Sequence, residues 1–179
     1  NCNGVPSAEE AARWHSMGHK IFCYSNPQAG LEKPETYRRN FGLLLWQADY
    51  DGAMDYAYQA GRIGNIWNEW RSPDQKIRNR AMAYPTADGV IDTIQWEGWR
   101  EGVDDVRYLT TLLNAIEMAK AQGKDTAPAE EFVAGLKQTN LGTEDLDAVR
   151  ARIIGHVLRL QGHDVPVDAS ALSASPVSY

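Results

Sequence analysis

The sequence has few of the features that assign a chain to a broad class at once. Only two of its 179 residues are cysteines, Cys2 and Cys23, which is too few for a disulfide framework, and neither shows metal-ligand spacing. The two could pair, but free cysteines are among the most often buried residues, so we expect unpaired and mostly buried thiols. The longest compact apolar run, FGLLLW at 41–46, is far shorter than the ~20 residues that span a bilayer. We therefore predict no membrane-spanning segment.

Clustered positive charge and clustered histidine are also missing. The chain has 18 Lys and Arg against 24 Asp and Glu, which gives a formal charge of −6. Such a chain has no broad cationic surface that could follow a phosphate backbone. Its four histidines lack H-E-x-x-H spacing, and Gly18 is expected to end the helix between His15 and His19. We predict neither a nucleic-acid partner nor a metal site.

The first residues carry no targeting signal. The chain begins at Asn1 without Met and without the charged start and apolar core of a signal peptide. We therefore expect a processed product or a fragment, and the compartment cannot be read from this end.

Hydrophobic periodicity and capping signals divide the chain into alternating elements. Ser7 and Glu10 form a capping box that opens the first helix, and Pro34 opens the second. The pattern predicts helices over 7–18, 34–49, 94–122, 128–138 and 143–162, strands over 19–25, 51–59 and 80–84, and a long irregular connection over 60–79.

This order of elements predicts an α/β fold. Strands that alternate with helices form parallel βα units, but three strands make an incomplete sheet. A complete (β/α)8 barrel takes about 250 residues and eight strands. We therefore predict that 1–122 is the C-terminal portion of a (β/α)8 TIM-type barrel with about three βα units. A helical extension over 123–162 and a loosely ordered tail over 163–179 are expected to follow.

One stretch carries a family signature. The sequence GVIDTIQWEGWREGVDDVRYLTTLL at 89–113 resembles the C-terminal part of the glycoside hydrolase family 123 catalytic domain, also catalogued as domain of unknown function 4091. In that family a strand ending in Tyr-Pro and a Gly turn precede a helix of this pattern. The matching residues are Tyr84, Pro85, Gly89, Ile94, Glu97, Arg100, Gly102, Asp105, Tyr108 and Leu109.

A second stretch supports the resemblance, which covers about residues 15–113. The family has an Arg-containing helix, then a Trp and a glycine-led strand rich in aromatic residues. RRNFGLLLWQADYDGAMDYAYQ at 38–59 is similar, with Arg38 or Arg39, Trp46, Gly52, Tyr56 and Tyr58 at the matching places. IFCYSNP at 21–27 would be the preceding strand, with Tyr24 at its end.

The resemblance implies a function for the intact protein. Enzymes of this kind are expected to cleave β-linked N-acetylhexosamine, above all N-acetylgalactosamine, with retention and without a metal or other cofactor. An adjacent Asp-Glu pair supplies the acid and orients the acetamide nucleophile of the substrate. The partner would be an amino-sugar glycan, and a secreted or periplasmic location is implied.

The sequence departs from the family pattern in ways that limit what this chain can do. Gln95 stands where the family usually has Arg, and Trp99 replaces an aliphatic residue. The chain contains no Asp-Glu dipeptide; Glu144-Asp145 has the reverse order and lies at a predicted helix start. We therefore expect the catalytic pair upstream, in the missing N-terminal barrel portion, and no catalytic residue and no activity in this chain alone.

Aromatic side chains are the main candidates for a site. Sugars stack their C–H faces on aromatic rings while their hydroxyl groups seek polar partners, which suits Tyr and Trp at strand ends. The candidate substrate-binding residues are Tyr24, Tyr56, Tyr58, Trp67, Trp70, Tyr84 and Glu97. Trp96 and Trp99 are expected in the core instead, because they join the apolar stripe of their helix.

The charged residues leave alternatives open. Glu97 and Arg100 could lie at the mouth of the barrel, or they could simply form a well-capped, solvated helix start. Asp49, Asp51 and Asp55 could bind ligand hydroxyl groups, although Asp51-Gly52 also suits a turn.

Two other function classes remain beside a glycosidase fragment. One is a non-catalytic carbohydrate-binding or interaction protein on the same scaffold. The other is a small independent α/β domain without a sugar ligand.

Overall fold

The computed structural model describes residues 2–59, 67 and 80–166. The fold is mixed α/β and has two compact units, Asn1–Asp104 and Asp105–Tyr179. The elements are β1 (Cys2–Asn3), α1 (Ala8–Ser16), β2 (Phe22–Tyr24), α2 (Pro34–Asn40), α3 (Leu43–Gln47), β3 (Gly52–Met54), β4 (Ala83–Pro85), β5 (Val90–Asp92), α4 (Ile94–Ala121), α5 (Ala127–Gln138) and α6 (Leu146–Leu160). The boundary between the units lies inside α4.

A small parallel sheet forms the centre of the first unit. Its strands lie in the order β1-β2-β3, and helices connect each strand to the next. Tyr24 of β2 lies opposite Met54 of β3, and Cys23 lies opposite Ala53. Parallel βα units were predicted from the alternation of elements, and these strands pair in that way. Cys23 is buried, as predicted, and its thiol donates to the carbonyl of Gly4 at 3.5 Å. No closed barrel is present within the described residues.

The third predicted strand, at 80–84, differs from expectation. The strand begins at Ala83 and pairs antiparallel with β5 in a separate two-stranded sheet. The turn after β4 causes this pairing, because the amide of Thr86 donates to the carbonyl of Gly89 at 2.8 Å and brings the chain straight back. The sequence PTADG was interpreted as a closing turn, so the strand after it was missed.

The first helix begins where the capping box predicted. The amide of Glu10 donates to the Ser7 hydroxyl oxygen at 3.4 Å, and α1 ends just before Gly18, whose φ of 74° suits only glycine without strain.

A single carboxylate, that of Asp51, holds the amino-terminal ends of β2 and β3 together. It accepts the backbone amide of Ile21 at 2.8 Å and the His15 ring nitrogen Nε2 at 3.0 Å, and the Lys20 ammonium lies at 3.6 Å. The hydrogen bond from His15 is the main cause that lowers the pKa of Asp51 to about 2, and the same bond raises the pKa of His15. Asp51 therefore serves the framework. Asp49 lies at the same end and contacts the His15 ring at 3.4 Å.

Three glycines allow α2 and α4 to approach at backbone distance. A Cβ at Gly98 would lie 2.2 Å from the carbonyl oxygen of Pro34, and one at Gly102 would lie 2.6 Å from that of Arg38. Because positions 34 and 38 match 98 and 102 in order, the two helices run in the same direction. A Cβ at Gly42 would lie 2.8 Å from the carbonyl oxygen of Gly102. At Gly42 the helix predicted over 34–49 is divided into α2 and α3.

The core of the first unit surrounds this helix contact. Tyr37 and Phe41 of α2 pack with Met82 and Ala29, and the ring of Trp99 stacks on Phe41 with 3.9 Å between centroids. Trp96 also packs against this cluster, so both tryptophans belong to the core, as predicted.

Gln95 joins two separate loops through a buried amide. Its Oε1 accepts the amide of Gly30 at 2.8 Å, and its Nε2 donates to the carbonyl of Ala81 at 2.6 Å. A buried side-chain amide with both ends satisfied fixes the loop after β2 against the segment before β4. This residue is one of the departures from the family pattern, and here its role is structural.

The second unit consists of helices. Its core contains apolar side chains from the second half of α4, from α5 and from α6, among them Leu109, Leu112, Ile116, Phe132, Leu136, Val149 and Ile153. The fully buried carboxylate of Asp105 accepts the guanidinium of Arg150 at 2.5 Å, which ties α4 to α6. The helices predicted over 94–122, 128–138 and 143–162 are all confirmed with small shifts of their ends.

We expect Gly98→Ala to lower the free energy of unfolding by about 3 kcal/mol, since a Cβ there must push the Pro34 backbone away. Gly135→Ala is the matched control, because nothing lies within 4 Å of its Cβ position on α5. That control is expected to stabilise by up to about 1 kcal/mol through helix propensity. Urea denaturation followed by circular dichroism measures both. Equal effects from the two substitutions would contradict the close helix contact.

We expect Asp105→Ala to lower the free energy of unfolding by about 3 kcal/mol, because it removes the fully buried carboxylate that pairs with the mostly buried Arg150 guanidinium. Asp104→Ala is the neighbouring control. Its carboxylate is more exposed and lies 3.6 Å from Arg100, so its loss should be below about 1 kcal/mol. The same denaturation experiment applies, and a loss at Asp104 as large as that at Asp105 would refute the assignment.

Candidate functional site

The carboxyl ends of β2 and β3 bring two polar segments side by side. Since Tyr24 lies opposite Met54, the residues that follow them leave the sheet together: Ser25 and Asn26 from one strand, Asp55 and Tyr56 from the other. In parallel α/β sheets, binding groups collect at this edge. We take this edge, with the aromatic residues near it, as the candidate site.

Asp55 is the carboxylate at this edge. Its Oδ1 accepts the backbone amide of Tyr56 at 2.8 Å, while its buried Oδ2 has no hydrogen-bond partner among the described residues. Burial raises the pKa of Asp55 to about 6, against the opposing effects of hydrogen bonds from Tyr56 and Ala29 and of the Arg80 charge. Asp55 can therefore exchange a proton near neutral pH, and it can act as hydrogen-bond donor or acceptor.

Asn26 presents a second unsatisfied group at the same edge. The Asn40 side chain on α2 donates to the carbonyl oxygen of Asn26 at 3.1 Å and lies 3.4 Å from its Oδ1. The Nδ2 of Asn26 is buried and lacks a partner within the part of the chain that the structure describes. Since nearly all buried polar groups in proteins are paired, two unpaired atoms on adjoining strand ends point to a functional edge.

Exposed aromatic rings lie just after β3. Tyr56 is 45% exposed and Tyr58 is 47% exposed. The Tyr58 ring meets Trp96 edge-on, with 5.4 Å between centroids, so one of its edges is held by the core. No ring or hydrogen-bond contact of the Tyr56 side chain is found within residues 2–59, 67 and 80–166.

Trp67 and Tyr84 form a second aromatic group. Their ring centroids are 5.0 Å apart, and the Trp67 indole Nε1 donates to the carbonyl of Pro85 at 3.1 Å. Trp67 remains 51% exposed. A ring that is fixed by a hydrogen bond and half open to solvent can stack on a flat ligand at little entropic cost.

Two of the predicted site residues stand apart from these rings, and a third lies outside the described residues. Tyr24 ends β2 and is half-buried, with Gln28 3.5 Å from its hydroxyl group. Glu97 lies in the first turn of α4, where its carboxylate accepts the Arg100 guanidinium at 2.6 and 2.9 Å. Within the described contacts, nothing joins Glu97 to the aromatic residues. Trp70 lies outside the described residues.

Asp55 was predicted as a ligand-binding residue only together with Asp49 and Asp51, and Asn26 was not predicted. Asp49 and Asp51 precede β3, so they lie at the opposite end of the sheet from the candidate site. The position of Asn26 directly after the strand in IFCYSNP is the sequence feature that could have indicated it, because polar groups after parallel strands often bind ligands.

The described residues offer no site for a metal ion and no transmembrane helix. No group of three or more His, Cys, Asp or Glu side chains there could hold a metal ion. None of the helices in the same part of the chain has the length and apolar character needed to cross a bilayer.

Comparison with known proteins gives no further identification. No protein-family model, no curated protein and no solved structure matches this chain.

We expect Asp55→Asn to change how stability depends on pH. The pKa of Asp55 is raised from 3.8 to about 6, so folding favours the protonated form, and this contribution is lost as pH rises from about 4 through 6. The variant keeps a neutral side chain throughout. The free energy of unfolding of the variant minus that of the wild-type chain should therefore be larger at pH 7.5 than at pH 4.

Urea denaturation at both pH values measures this difference, and Asp92→Asn, an exposed residue of β5, is the control. The interpretation fails if Asp55→Asn shifts stability equally at the two pH values.

Proposed function

We propose that this chain is the C-terminal part of a glycoside hydrolase similar to family 123, and that it supplies sugar-binding walls of a (β/α)8 barrel. The parallel β1-β2-β3 arrangement with intervening helices supports this proposal, because barrels of this kind repeat that unit. The signature residues also have structural reasons to be present. Gly102 permits the contact with α2, Asp105 binds Arg150, and Leu109 is buried.

The observation that carries the proposal is the set of half-exposed amphipathic rings after β3. Tyr56, Tyr58 and Trp67 keep about half of their surface open although each is large enough to be buried. Pyranose rings offer C–H faces to such rings, and their hydroxyl groups seek the polar groups beside them. Asp55 and Asn26 follow the neighbouring strand ends and are the polar groups nearest in the chain.

In the intact enzyme, the catalytic residues and the sugar-binding residues of this chain would come from different parts of the barrel. The Asp-Glu pair of the resembled family is absent here, so the missing N-terminal barrel portion would supply the acid and orient the acetamide. The substrate would be a β-linked N-acetylhexosaminide, with N-acetylgalactosamine as the first choice, and no cofactor is required by this mechanism. The lack of an acid in this chain equally fits the alternative, a carbohydrate-binding protein without catalysis.

We expect the chain to bind N-acetylgalactosamine weakly, and Tyr56→Ala to weaken that binding about five- to tenfold through the loss of ring stacking. Tyr56 suits this test because its exposed ring has no contact to lose within the described residues. Tyr108→Ala, at a similarly exposed ring of the helical unit, is the control and should leave binding unchanged. Chemical-shift titration by NMR measures each affinity.

Three results would count against the proposal. The first is the same loss at Tyr108 as at Tyr56. The second is a lack of binding to any of a panel of N-acetylated and plain sugars. The third is hydrolysis of an aryl N-acetyl-β-galactosaminide by this chain alone, which would contradict the placement of the catalytic residues in another part of the barrel.

A further inference from the structure

The helical unit contains a groove between α5 and α6 that no part of the proposed function uses. Its volume is about 420 Å³, which falls within the usual range of small-molecule sites. Helix α5 contributes Glu131, Phe132 and Leu136 to its lining, and α6 contributes Arg152 and His156. The groove therefore combines an aromatic surface with charged side chains.

The Phe132 ring lines this groove and is itself mostly buried, because two side chains of α6 pack on it. The His156 ring stacks on it with 4.7 Å between centroids and 23° between planes. The guanidinium carbon of Arg152 also lies 4.7 Å from the Phe132 centroid. Contact with the aromatic ring holds both side chains in place and leaves the guanidinium N–H groups free to donate.

The charge near His156 is positive and not neutralised. Burial is the main cause that lowers the pKa of His156, and the charges of Arg152 and Arg159 lower it further. Arg152 has no ion pair or hydrogen bond among the described residues. Arg159 donates through Nε to the carbonyl of Val165 at 2.8 Å, which leaves its charge unbalanced.

The other charged groups around His156 leave the net charge there positive. Lys124, Asp125 and Arg159 line an adjoining cavity of about 200 Å³, which also reaches His156. The Lys124 ammonium donates to the carbonyl of Leu160 at 3.2 Å, and Asp125 accepts the amide of Ala127 at 3.0 Å. Glu131 lies in the groove but forms no ion pair with Arg152 within the described residues.

We propose that this groove binds a small organic carboxylate with a flat apolar body. The exposed Arg152 guanidinium receives the carboxylate in a two-point contact. The body lies in the groove between α5 and α6, over the small parts of Phe132 and Leu136 that line it. The planar guanidinium of a single arginine matches both oxygens of a carboxylate, whereas a tetrahedral phosphate would leave its third oxygen without a charged donor there. Bound anion would also raise the affinity of His156 for a proton.

Benzoate is a suitable probe, since it joins one carboxylate to a flat ring. We expect benzoate to shift the NMR signals of the His156 ring saturably and to raise the pKa of His156. Benzamide, which has the same shape without the charge, should give no saturable shift. Phenyl phosphate should bind more weakly than benzoate.

Substitutions in the full chain test which groups act. Arg152→Gln should weaken benzoate binding at least roughly tenfold through the loss of a charged hydrogen-bond donor. Arg152→Lys should give an intermediate loss of affinity, because it keeps the positive charge but not the two parallel N–H donors of the guanidinium. Glu131→Gln should strengthen binding about two- to fivefold by removing a nearby negative charge. Arg107→Gln, an exposed arginine of α4, should have no effect.

Several results would overturn the proposal. These are equal binding of benzamide and benzoate, tighter binding of phenyl phosphate, unchanged affinity in Arg152→Gln, or weaker affinity in Glu131→Gln. The absence of any saturable shift with benzoate in the wild-type chain would overturn it as well. Circular dichroism of each variant establishes that a loss of binding is not a loss of fold.

Discussion

The backbone contact between α2 and α4 is the constraint on which the first unit depends. Gly98 and Gly102 are one helical turn apart, and each lies against a carbonyl of α2, so the two helices fit only without side chains there. This contact places Trp99 on Phe41 and sets the first turn of α4, where Gln95 reaches both Gly30 and Ala81. The loop after β2 and the segment before β4 are thus positioned from one helix.

The residues at 89–113 that resemble the family signature therefore have mainly structural roles in this chain. Gly102 and Asp105 have clear structural partners, and Glu97 is engaged by Arg100. The residues with unsatisfied or exposed groups, Asp55 and Tyr56, lie outside that segment.

The helices of this chain could be predicted from sequence, because their apolar periodicity and caps are local properties. The Ser7 cap, Gly18 and the stripe of α6 placed those helices within a few residues of their observed ends. The break at Gly42 could not be predicted, since it lies where Gly42 contacts Gly102, sixty residues away in the chain. The antiparallel partner of β4 was missed for a different reason. Three residues are too few to show alternation.

The candidate site could also be predicted only in part. Aromatic residues after β3 were predicted from their type and position. Asp49, Asp51 and Asp55 could not be told apart, because only the strand ends show that Asp51 precedes β3 and Asp55 follows it. The unpaired atoms of Asp55 and Asn26 are visible only when burial and partners are known.

The Asp51 carboxylate has a consequence for how the first unit opens. It joins α1 through His15 to the start of β2 through Ile21, and it immediately precedes β3. Unwinding of α1 therefore removes the His15 bond from the same carboxylate that holds the start of β2 beside β3. The loss weakens the anchor of the strands, so we expect these elements to open together. In hydrogen exchange, their amides would then share one protection level and behave as a single cooperative segment.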